Sequence, residues 1–106
     1  MAVPTVTVQD LKAMRDAQKD HLLVDVREPQ EYETCRIEGA LLLPLGQLAA
    51  RMSELPKDKE LIVHCHHGGR SAQAVNYLVN QGYKASNLAG GIDAWSEEID
   101  PKVPRY

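Results

Sequence analysis

The residues best suited to covalent chemistry lie in one segment, Leu61-Ile62-Val63-His64-Cys65-His66-His67-Gly68-Gly69-Arg70-Ser71. A short branched apolar run ends in a cysteine, a glycine-bearing loop follows, and Ser71 opens a helical pattern. That order aims successive backbone N–H groups and the positive end of a helix dipole back at one sulfur atom. Gly68 and Gly69 let the loop curl through positive φ without steric cost, so that it can cradle an anion. A thiolate or the outer sulfur of a persulfide is the anion suited to such a cradle, and a helix start with a nearby cation lowers a cysteine pKa. Cys65 is therefore the candidate nucleophile, with His66, His67, Gly68, Gly69, Arg70 and Ser71 as candidate binding residues around it.

The neighbouring residues read mainly as support. Arg70 suits either binding of an anionic donor or pairing with Asp25; the pairing is favoured, because a buried carboxylate near a strand end needs a partner. Asp25 and Arg27 are accordingly assigned to bracing the loop. His64 precedes the cysteine on a buried strand and is expected to be a hydrogen-bonded core residue. His66 and His67 sit in a tight loop, where the backbone can bind while side chains turn to solvent. Cys35 is the second of only two cysteines, too few for a disulfide scaffold and without the paired spacing of a zinc site. Nothing in the sequence brings it to Cys65 as a resolving thiol, and no metal ligation is expected.

The elements that position Cys65 follow from periodicity. Leu22-Leu23-Val24-Asp25-Val26 and Leu61-Ile62-Val63-His64 are short apolar runs typical of strands buried on both faces of a parallel sheet. Residues 41–43 and 86–88 read as further strands. A cap formed by Thr7 and Asp10, with Val8, Leu11 and Met14 on one stripe, predicts a helix over 8–18. Ala72, Val75, Leu78 and Val79 predict another over 71–81. A third opens after Gly90-Gly91 and carries Ile92, Trp95 and Ile99 as core residues. Strands alternating with helices imply an α/β fold, a parallel sheet covered on both faces, with chemistry at the carboxyl ends of its strands.

With 106 residues the chain is expected to form a single domain over 1–106. Its 43% hydrophobic and 25% charged residues are those of an ordinary soluble protein, and no stretch is long enough to cross a bilayer. A net charge of -3 with no Lys/Arg cluster excludes nucleic acid and anionic membranes as expected partners. Met1-Ala2-Val3-Pro4 does not begin a basic-flanked apolar leader, so a cytoplasmic location is expected.

Several segments, in order, make the chain resemble the rhodanese homology domain: Leu23-Val24-Asp25-Val26-Arg27 with Glu31-Tyr32, then Ile37-Glu38-Gly39-Ala40 leading to Pro44, the 65–71 loop, Gly82-Tyr83, and Leu88-Ala89-Gly90-Gly91-Ile92-Asp93-Ala94-Trp95. The ending, Asp100-Pro101 through Pro104-Arg105-Tyr106, is similar to rhodanese domains at the carboxyl end of ubiquitin-activating-like adenylyltransferases. One departure is Cys35-Arg36-Ile37, where the family usually has Gly-His-Ile.

The resemblance implies a doubly wound, five-stranded parallel sheet and a two-step sulfur transfer through a Cys65 persulfide. It implies a donor such as thiosulfate, a thiol or sulfur-carrier protein as acceptor, and no metal or organic cofactor. Two other functions fit parts of the pattern. A cysteine-dependent phosphatase or arsenate reductase shares the His-Cys and Arg-Ser signature, but phosphatases place five residues between Cys and Arg and this chain has four. A non-catalytic rhodanese-like binding module is the other, and the presence of Cys65 argues against it.

Overall fold

The computed structural model describes residues 3–106. Five short strands form one parallel sheet: β1 (Thr5–Val6), β2 (Leu22–Asp25), β3 (Leu41–Leu42), β4 (Leu61–His64) and β5 (Ala85–Leu88), in the spatial order β1-β5-β4-β2-β3. β4 is thus central, with Val63 opposite both Val24 of β2 and Asn87 of β5. Cys65 follows its last residue.

Alternate residues of the central strands feed two cores. Leu61 and Val63 pack with Val24, Leu48, Leu55, Ala74, Val75 and Leu78 on one face. On the opposite face Ile62 and Leu23 pack with Val8, Leu11, Ile92 and Trp95. Helices α3 (Leu48–Arg51) and α4 (Gly69–Asn80) therefore cover one side, and α1 (Val8–Asp16) and α5 (Gly91–Glu98) the other. This is the doubly wound α/β arrangement, in which fully buried strands need apolar residues at every position. Each aliphatic side chain taken wholly out of water contributes about 1.5–3 kcal/mol to holding the layers together.

Several boundaries differ from the sequence expectation. The first helix stops two residues short of 18, because Ala17 caps it and Gln18 turns to φ 53°, a conformation more often left to glycine. α4 starts two residues earlier than 71, with Gly68 as its N-cap, so Ser71 lies inside the first turn. β1 and α3 were too short to show a period. α2 (Pro29–Thr34) shows no apolar stripe in the sequence, since none of its residues is buried. Its start is marked instead by Pro29 in the first turn and by Glu31, whose Oε1 accepts the Glu28 N–H at 3.0 Å. No helix among the described residues is long and apolar enough to cross a membrane.

Candidate active site

The loop after β4 folds around the Cys65 sulfur. Gly68 takes φ 131°, open only to glycine, and its N–H points at Cys65 Sγ from 3.1 Å. Ser71 Oγ lies 3.4 Å from the same sulfur. Burial by itself would push the thiol pKa up, and Cys65 is only 2% exposed. The Ser71 hydroxyl and the backbone N–H groups of Ser71, Gly68 and Arg70 outweigh that, and the net shift is downward. Ser71 Oγ is also 2.5 Å from Asn87 Oδ1, while Asn87 Nδ2 donates to Gly68 O at 3.3 Å. A hydroxyl has one proton, so Ser71 donates either to Asn87 or to the sulfur. Ionisation of Cys65 draws that proton toward Sγ.

What turns the loop amides inward is the start of α5. Ile92 N–H donates to Cys65 O at 3.0 Å and Asp93 N–H to His66 O at 3.1 Å, holding two loop carbonyls away from the sulfur. Gly91, at φ 59°, makes this approach possible: a Cβ there would lie 2.5 Å from both carbonyl oxygens.

Charged groups surround the loop in a pattern that differs from the expected one. Arg70 does not pair with Asp25. Its two Nη atoms clamp Glu31 Oε1 and Oε2 at 2.7 and 3.0 Å, and this bidentate pairing lowers the Glu31 pKa to about 2. Asp25 is instead taken by Arg27, two residues on and on the same strand end. Arg27 Nε bonds Asp25 Oδ1 at 2.9 Å and Nη2 bonds Oδ2 at 2.7 Å, with both side chains 0% exposed. The same guanidinium reaches Cys35 O at 2.7 Å, Glu31 O at 3.3 Å and Tyr106 Oη at 3.0 Å. Asp25 and Arg27 thus tie the end of β2 to α2, the element that holds Arg70 through Glu31.

The histidines divide by burial. His64 is wholly buried, as its place on β4 requires, yet its hydrogen bonding is poorer than expected. Nδ1 is 3.4 Å from Cys65 O, and Nε2 has no hydrogen-bond partner among the described residues, lying 3.8 Å from Asp25 Oδ2. Burial pushes its pKa down, so His64 is neutral at pH 7. His66 stacks on the Tyr106 ring, with centroids 3.9 Å apart and planes 7° from parallel. His67 is exposed, with Nε2 3.7 Å from Asp93 Oδ2. His66, His67 and Asp93 bring their ligand atoms within 4.8 Å of one another, but Arg105 already binds both Asp93 oxygens at 3.0 and 3.1 Å. Cys35 and Cys65 are both free, and they belong to the cores on opposite faces of the sheet.

Four residues of this arrangement were not singled out as site residues from sequence: Glu31, Asn87, Gly91 and Tyr106. Each lay in plain view within a resembling segment, a strand or the ending, but its partner is distant along the chain.

A buried thiol at the end of the central strand of a parallel sheet, ringed by backbone donors at a helix start, defines a class of α/β proteins built to stabilise charge on one sulfur. The model of the rhodanese-like domain matches residues 7–98, and the chain belongs to that family. A sulfurtransferase of Allochromatium vinosum is 48% identical over 86 residues, covering 80% of each chain. The adenylyltransferase and sulfurtransferase MOCS3 of Drosophila ananassae is 36% identical over 98 residues; 84% of this chain is covered, which spans only 22% of that protein. Among solved structures, the human single-domain sulfurtransferase TSTD1 superposes with a TM-score of 0.80 at 28% identity, covering 92% of this chain and 98% of that one.

Proposed function

We propose that this protein moves a sulfane sulfur from thiosulfate or a persulfide donor to a thiol or sulfur-carrier protein, holding it between the two steps as a persulfide on Cys65. The observation that carries this reading is the ring of donors, Gly68, Arg70 and Ser71, aimed at one thiol whose pKa they lower. In the first step the Cys65 thiolate attacks the outer sulfur of thiosulfate. A Cys65–sulfur bond forms as the sulfur–sulfur bond of the donor breaks, and sulfite leaves with the electron pair. In the second, an acceptor nucleophile attacks the outer persulfide sulfur and the Cys65 thiolate departs with the bonding pair. With cyanide as acceptor the product is thiocyanate. Negative charge returns to the sulfur at every stage, and fixed N–H donors stabilise it without reorganising.

Arg70 places positive charge at the loop, though Glu31 engages both of its terminal nitrogens. Its role in this scheme is to hold the loop, with its charge matched by Glu31. Two free thiols suit a reducing compartment such as the cytoplasm.

The test is intact-mass measurement of the reduced protein after thiosulfate and then after an acceptor. One sulfur should add to the native chain and to Cys35→Ser, and leave on acceptor addition; Cys65→Ser should neither load nor make thiocyanate. Equal loss in both variants would refute a one-cysteine mechanism. Aryl phosphate turnover matching sulfur transfer would favour the phosphatase reading instead.

A further inference from the structure

We propose that Tyr106 is a specificity-determining residue that walls the approach to Cys65 and favours slim acceptors over bulkier thiols. This rests on the sulfur-transfer reading of Cys65. The side chain is fixed at both ends. Its ring lies flat on His66, the residue next to Cys65, at 3.9 Å between centroids. Its hydroxyl accepts from Arg27 Nη1 at 3.0 Å and donates to Glu31 Oε2 at 2.7 Å. Glu31 in turn clamps Arg70, the residue before α4's inward-facing Ser71. Tyr106 therefore reaches from the first residue after the nucleophile to the pair that closes the other end of the loop. A ring anchored at both ends of a loop folded around Sγ stands on the rim of that loop.

The segment leading to Tyr106 is itself tethered. Ser96 Oγ donates to Val103 O, and Arg105 holds Asp93 on α5 through two hydrogen bonds. Because α5 also grips Cys65 O and His66 O, the wall and the loop share one support. The Tyr106 hydroxyl stays protonated: burial raises its pKa to about 12, so it can keep donating to Glu31 at all physiological pH values. Yet the residue is 43% exposed, so it can swing away without opening the core. A two-atom nucleophile such as cyanide can pass beside the ring. A thiol carrying a larger body must displace it and break the bonds to Glu31 and Arg27.

Acceptor kinetics on the persulfide form test this, with cyanide compared with dithiothreitol, a neutral thiol that leaves the charge of Arg70 out of the comparison. Tyr106→Ala should raise the ratio of kcat/KM for dithiothreitol over cyanide about ten-fold, the low end of the discrimination that one methylene of fit gives a specificity pocket. Tyr106→Phe keeps the ring and its stack but loses the hydroxyl bridge, and should raise the ratio less. Arg105→Ala loosens the segment while leaving Tyr106 itself and the residues of the loop unsubstituted, and should shift the ratio in the same direction, provided that it loads sulfur normally by intact mass. If the ratio stays at the native value in Arg105→Ala and in whichever Tyr106 variants load sulfur normally by intact mass, the wall does not select. Failure of the native chain to load sulfur would instead overturn the sulfur-transfer reading beneath it.

Discussion

Replacing Arg27 by Met should cost about 3–5 kcal/mol at pH 8, the range for leaving one member of a buried ion pair without its partner. The structure shows why the upper part of that range is reasonable. Arg27 and Asp25 are both fully buried, and the guanidinium also bonds Cys35 O, Glu31 O and Tyr106 Oη. In a chain of this size the loss corresponds to a fall in Tm of about 12–20 °C, at about 4 °C per kcal/mol. The carboxylate keeps the backbone N–H of residue 27, 3.0 Å from Oδ1, and gains one cationic recourse. His64 Nε2 lies 3.8 Å from Asp25 Oδ2 with no hydrogen-bond partner of its own among the described residues, and it is neutral in the native protein because burial and nearby Arg27 outweigh the pull of Asp25. Without Arg27, a protonated His64 can pair with Asp25. Removing the Arg27 charge takes away one of the two influences that hold the His64 pKa down, so protonating His64 at low pH costs the variant less than the native protein. The variant should therefore lose distinctly less stability at pH 5.5 than at pH 8. Denaturant unfolding at the two pH values measures this, with Asp25→Leu/Arg27→Met as the companion that removes both charges and should recover much of the loss. A loss under 1 kcal/mol, or one equal at both pH values, would refute the account of the buried pair.

Two further substitutions test the sulfur cradle. Ser71→Ala removes a donor to the thiolate worth about 1.5 kcal/mol, at the low end for a charged acceptor because Asn87 shares the hydroxyl. Alkylation of Cys65 at pH 7 should slow about ten-fold and its pH profile should move up; a profile like the native one would mean that the backbone amides alone set the thiol. Gly91→Ala puts a Cβ 2.5 Å from Cys65 O and His66 O, and should cost about 2 kcal/mol or more while impairing persulfide loading. Native stability and loading in that variant would show that α5 does not shape the loop.

How much of this could be read from the chain follows the distance over which each interaction acts. The strand, cysteine, glycine loop and helix start lie within eleven consecutive residues, and their local chemistry points to one sulfur without reference to the fold. The central strands were equally legible, because burial on both faces leaves an unbroken apolar run. The pairing of the charges was not. A buried carboxylate needs a cation, and from sequence alone Arg70 is the natural partner of Asp25, but in the fold the cation is Arg27. Two residues along a strand end, it was too near in sequence to suggest itself. Arg70 is held by Glu31 from a helix with no buried residue and hence no readable stripe. Tyr106 is farther still, 75 positions from its Glu31 partner.

The loop depends on where its carbonyls go as much as on where its amides point. A peptide plane carries both groups on opposite sides, so an N–H turned to the sulfur requires that neighbouring oxygens find donors elsewhere. Here the first turn of α5 supplies two of them to Cys65 O and His66 O, and Asn87 Nδ2 supplies a third to Gly68 O. Asn87 then also meets the one side chain, Ser71, whose hydroxyl can turn between an amide oxygen and the sulfur. The thiolate is thus stabilised by a backbone that has been oriented from outside, by β5 and α5 rather than by the loop itself. A cradle built that way is formed before any ligand arrives, and under the proposed sulfur transfer the same amides would follow the charge from Sγ to the outer sulfur of a persulfide.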